Sequence, residues 1–177
     1  LVSYTIIAYT GTVVINCLVG FSQAAQPLVS YHYGKNEPEA CRKLLKYAAV
    51  GAGGFALIVW TVLRFGGGFL VRAFLGSENP ALNAQSLLAL QDYSYSYLLV
   101  GFNIVIGGYL TARERAQSAL IISVSRGFVV QASVLLLLSY TLAGNTIWFA
   151  PLISEALTLV LAVLLLRREM GRKVLAA

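Results

Sequence analysis

The stretch VSYTIIAYTGTVVINCLVGFSQAAQPLVSYHYG, Val2–Gly34, decides how the chain is read. From Val2 to Tyr31 it carries no Asp, Glu, Lys or Arg. A helix needs about 20 predominantly apolar residues to cross roughly 30 Å of hydrocarbon, and this run supplies them. It is also the most polar apolar run of the chain, with Asn16, Gln23 and Gln26 among several Thr and Ser. Amides inside a membrane either hydrogen-bond neighbouring helices or line a hydrated cavity, and both readings stay open. Pro27 is expected to kink this helix or end it, freeing backbone carbonyls nearby.

Four further runs of the same kind follow. The spans are expected at about 2–31, 47–65, 93–112, 116–141 and 147–166, with Gly66, Gly67 and Gly68 marking the exit of the second. Strict apolar/polar alternation over ten residues, the mark of a membrane barrel strand, is absent. Of the 177 residues 58% are hydrophobic and 11% charged, against about 25% charged in a soluble domain. The fold class is therefore all-α integral membrane, with five transmembrane helices in a single membrane domain over 1–177. The chain starts at Leu1, already inside an apolar stretch, so an upstream span is expected to precede it. Cys17 and Cys41 fall in different settings and no disulfide between them is expected.

Charge placement gives an orientation. Lys35, Arg42, Lys43 and Lys46 follow the first span, Arg113 and Arg115 the third, and Arg167, Arg168, Arg172 and Lys173 the fifth. These ten of the 13 basic residues share one side, which the positive-inside rule makes cytoplasmic. The net charge of +6 is thus topological and calls for no nucleic acid. Multi-pass insertion in a plasma (inner) membrane, bacterial in type, with a cytoplasmic C-terminus, is expected. Asn36-Glu37-Pro38-Glu39 resembles a helix start with a capping side chain, opening a short cytoplasmic surface helix over about 37–46. The outer links Gly76-Ser77-Glu78-Asn79-Pro80 and Ala143-Gly144-Asn145 read as turns.

No enzyme signature is present. His32 is the only histidine, so a His-rich metal site is excluded, and phosphate-binding glycine patterns are absent. No catalytic residue, metal ligand or cofactor is assigned; any work is expected to draw on an ion gradient. Ionisable groups inside a span are costly and therefore functional candidates. Glu155, near the middle of the fifth span, either holds a coupling proton or cation or is a protonated or hydrogen-bonded structural acid. Arg126 in the fourth either snorkels or pairs with a polar group on the first or third span. Asp92 opens the third span from the outside, where solvation competes with ion binding. Tyr93, Tyr95 and Tyr97 after it read first as an outer aromatic belt, with lining of a pocket for an aromatic cation as the alternative. Asn103 joins the amides Asn16, Gln23 and Gln26 as a pathway candidate.

The segment Gly20–Gly34, with Gly20, the pair Gln26-Pro27 and the triplet His32-Tyr33-Gly34, resembles a motif of the multidrug and toxic compound extrusion (MATE) family. There it ends the second helix of each lobe and precedes a basic cytoplasmic helix, here Glu39 to Lys46. Gly107-Gly108-Tyr109-Leu110-Thr111-Ala112 is similar to the end of the family's tenth helix. Ser125-Arg126, then Ile147-Trp148 and Pro151–Glu155, are similar to its eleventh and twelfth. His32 stands where the family usually has Asn. The resemblance implies helices eight to twelve of a twelve-helix bundle, a partial six-helix lobe whose partners are the lipid bilayer and a missing N-terminal lobe. It also implies export of organic, often cationic, small-molecule substrates in exchange for H+ or Na+. A lipid-linked oligosaccharide flippase of the same superfamily and a non-transporting membrane scaffold subunit are the alternatives.

Overall fold

The computed structural model describes residues 2–76, 79–141 and 148–171. Among these it is helical throughout: α1 (Val2–Gly34), α2 (Pro38–Leu75), α3 (Pro80–Ser94), α4 (Tyr97–Ala112), α5 (Ala116–Val124), a π-helical turn (Ser125–Val129), α6 (Val130–Thr141) and α7 (Ala150–Gly171). They make five runs long and apolar enough to cross a membrane, α3 with α4 forming one and α5 through α6 another. The expected links at Ser77-Glu78 and Ala143–Asn145, and the tail residues Arg172 and Lys173, lie outside the described residues.

Several boundaries differ from the sequence reading, each for a physical reason. The proposed surface helix and second span are one helix, α2, of 38 residues, or about 57 Å at 1.5 Å per residue. It runs through Gly66–Gly68, because breaking a helix where water is scarce leaves backbone groups unsatisfied. Likewise α1 continues past Pro27 to Gly34. The third run begins at Pro80 rather than Tyr93, so Asp92 lies inside α3, half-buried, and does not open a helix. Residues 80–92 look too polar to belong, yet Leu87 and Leu90 pack against α2 at Gly67.

The capping expectation at Asn36 fails in an informative way. Asn36 takes a left-handed backbone, φ 61°, and terminates α1 instead of starting α2. Its N–H reaches Tyr33 O at 3.0 Å and the Glu37 N–H reaches His32 O at 3.0 Å, satisfying two carbonyls of the last turn. The helix α4 ends identically: Glu114, φ 61°, bonds Thr111 O and Arg115 bonds Leu110 O. Pro38 then occupies the first turn of α2, where its missing N–H is harmless.

At the centre lies α4, whose only exposed residue is Thr111. It packs against α1, α2, α5 and α7. Close approach depends on its glycines. A Cβ on Gly101 would meet Leu18 Cδ2 at 3.1 Å and the Ala52 Cβ at 3.3 Å, and one on Gly108 would land on Ser22 Oγ of α1. Ser22 Oγ donates to Ile104 O at 3.3 Å, and Ser30 Oγ to Ala112 O at 3.0 Å, tying α1 to α4 along its length. Tyr97 corrects the aromatic-belt reading: it is fully buried, against Gly11 and edge-on to Tyr93. We expect Gly108→Ala to destabilise the bundle by about 1–3 kcal/mol, measured as a lowered melting temperature in detergent, whereas Gly54→Ala, with open space at its Cβ, does not.

Candidate functional site

Three of the sequence candidates converge on one point. Glu155, in the second turn of α7, is 8% exposed. Asn103 of α4 donates from Nδ2 to Glu155 Oε2 at 2.7 Å and to the Glu155 backbone oxygen at 3.0 Å. Arg126 donates from Nε to Glu155 Oε1 at 2.9 Å. The partner expected for Arg126 on the first or third span is therefore the acid of the fifth. Each of the three lies about ten residues from the basic end of its apolar run, about 15 Å at 1.5 Å per residue. That is half of a roughly 30 Å hydrocarbon layer.

The π-turn brings Arg126 to this point. One wide turn over Ser125–Val129 shifts the register of the helix after Val124, and such turns recur where a side chain must be re-aimed. None of its five residues is buried. Just beyond it, Gln131 of α6 accepts a hydrogen bond from Ser154 Oγ, the residue before Glu155. Ser154 also donates to Pro151 O at 3.0 Å, and Thr158 Oγ1 to Ser154 O at 2.8 Å. Sequence reading missed Gln131 and Ser154; a Gln and a Ser inside apolar runs were the available signal.

The remaining candidates lie elsewhere. Asn16 and Gln23 are exposed on α1, on the same stripe as Tyr9, Thr12, Pro27 and Tyr31, a helical repeat of polar or interrupted positions. Gln26 is half-buried and donates to Ser22 Oγ at 3.4 Å. Asp92 makes no ion pair with a described residue. His32 Nδ1 lies 2.6 Å from Glu37 Oε2, satisfied at the helix end. Cys17 and Cys41 form no disulfide with each other, and the buried Cys41 thiol donates to Val29 O at 3.7 Å.

A second buried acid escaped the sequence reading. Glu169, near the end of α7, accepts from Ser118 Oγ at 2.9 Å and pairs with Arg115 at 3.4 Å. Arg113 is buried between the rings of Tyr33 and Tyr109, at 5.5 and 5.3 Å. Two of the loop arginines counted for topology thus also clamp α1, α4, α5 and α7 together. Among the described residues no cluster of three metal-ligating side chains occurs.

A helical bundle with a charged pair at its middle fits a carrier, and sequence comparison decides the family. The MatE family model matches residues 2–137. The chain belongs to the MatE family. This is a family of multi-pass membrane transporters, not of enzymes. The match ends before α7, so Glu155 lies beyond it. No curated protein matches the sequence. A solved structure of a multidrug resistance MATE family transporter of the MOP superfamily, in its inward-facing conformation, is similar in fold, with a TM-score of 0.89 at 17% identity. The similarity covers 96% of this chain and 39% of that one.

Removing either partner of the Arg126–Glu155 pair should cost more than removing both. Arg126→Gln and Glu155→Gln in a double-mutant cycle should show a coupling of about 1–2 kcal/mol, read by thermal denaturation in detergent. Additive losses would contradict it.

Proposed function

We propose that the full-length protein is a secondary antiporter that exports organic, often cationic, small molecules in exchange for H+ or Na+, and that Glu155 is its cation-handling carboxylate. The observation that carries this reading is the Asn103–Glu155–Arg126 cluster, a buried acid at half the hydrocarbon depth with a cation as partner. A carboxylate is neutral when protonated and charged when it holds a cation, so proton and cationic substrate exclude one another on it. Exclusion of that kind is what an exchanger needs, because each ligand must leave before the other binds.

The polar stripe of α1 supports the same reading. Asn16 and Gln23 are exposed and make no hydrogen bond to another described helix. Polar groups so placed on a membrane helix suit a water-filled path between lobes. A flippase for a pyrophosphate-linked lipid would need surplus positive charge within the membrane. Arg126 is instead neutralised by Glu155, which favours cations as cargo.

The site residues Asp92, Asn16, Gln23 and Gln26 are assigned to the pathway only through their position. The basic ends of α1, α2 and α7 are read as cytoplasmic, in a plasma (inner) membrane, with the chain forming one membrane domain. In the full-length protein, Glu155→Gln should lower gradient-driven ethidium efflux to near the level of cells without the transporter. Efflux unchanged at equal expression removes Glu155 from coupling. For orientation, Lys43→Cys in a background lacking Cys17 and Cys41 should react with an impermeant maleimide only after the cytoplasmic face is opened. Labelling in intact cells reverses the topology.

A further inference from the structure

We propose that Arg126 is a tethered cation: in the empty transporter it occupies the place on Glu155 that a singly charged organic cation takes, and so sets the site's affinity. The inference rests on the reading of Glu155 as the cation-handling carboxylate and deepens it.

The two partners of Glu155 are held very differently. Asn103 is 1% exposed on α4, the helix enclosed by the rest of the bundle, and it grips both the side chain and the backbone of Glu155. Arg126 has a side chain one-quarter exposed and touches Glu155 through Nε alone, a single-point contact instead of the two-pronged fork that a guanidinium can make. It stands on the π-turn, where no residue is buried and a Cβ on Gly127 would meet nothing within 4 Å. Withdrawing Arg126 therefore breaks one ion pair and disturbs no packing, whereas withdrawing Asn103 would open the core.

Charge balance then fixes what replaces it. A buried carboxylate left without a counter-charge costs several kcal/mol, so the site stands open only a small fraction of the time and is stabilised in that state by another positive charge. One carboxylate matches one charge, which selects singly charged cations. Asn103 Oδ1 is buried without a partner, on the amide already bonded to Glu155, and offers an acceptor to a cation that carries N–H groups. The site as built is thus complete for an organic ammonium once the guanidinium swings out.

A tethered competitor lowers the apparent affinity by the fraction of time it leaves the site open, so removing it tightens binding. With full-length protein in detergent and ethidium as probe, Arg126→Gln should lower the Kd about tenfold, and Arg126→Lys, which keeps the charge, should stay near wild type. A purely structural arginine gives the opposite sign: Arg126→Gln binding unchanged or weaker overturns the proposal. A second measurement uses the unaltered protein. Modification of Arg126 by phenylglyoxal, followed by mass spectrometry, should speed up several-fold in saturating ethidium; an equal or slower rate also overturns it. The two readings fail separately. Glu155→Gln binding ethidium as tightly as wild type removes the functional reading, while loss of binding there with no tightening in Arg126→Gln removes only the tethered cation.

Discussion

Inside a bilayer a helix gains nothing from hiding apolar side chains from lipid, so what holds it to its neighbours is fit. The helix α4 meets this constraint more fully than any other element, being enclosed along nearly its whole length. Gly101 lets Leu18 and Ala52 approach, and Gly108 admits Ser22 and Gln26. Between the two glycines sits Asn103, so the amide that fixes Glu155 is placed by the same close contacts that assemble the bundle. Packing and site are one arrangement here: loosening α4 would loosen the grip on the acid.

The electrostatics follow from that placement. A carboxylate in a low-dielectric interior is tolerable only when hydrogen-bonded and paired, and Asn103 and Arg126 supply these two requirements from different helices. The opposite end of α7 repeats the device with Glu169, Ser118 and Arg115, where the pair closes the basic end of the bundle. The two acids of α7 nevertheless differ in setting. Glu169 lies level with the loop arginines, while Glu155 lies at depth on a helix facing a turn without buried residues.

Much of this was legible before any coordinates. Five long apolar runs fix five spans because hydrocarbon thickness leaves few alternatives. The motif from Gly20 to Gly34 pointed to the family that the sequence comparison shows. Asn103, Arg126 and Glu155 stood out as polar groups in apolar runs. Their meeting did not, since it depends on a π-turn that leaves no compositional trace. Tyr97 was misread because an aromatic at a helix end looks alike in a belt and in a core. Residues 80–92 were misread because their buried positions include Ser86 as well as Ala89 and Leu90, so the segment carries no strong apolar signal of its own.

The unbroken course of α2 has a mechanical consequence. A rod of about 57 Å joins the basic end of the chain to the pocket between Gly68, Val71, Arg72 and Pro80 at the far end. Pivoting it by about 10° displaces one tip by about 10 Å relative to the other. Because α2 is continuous from Pro38 to Leu75, a modest rocking at one membrane face is delivered, as through a lever, to the opposite face.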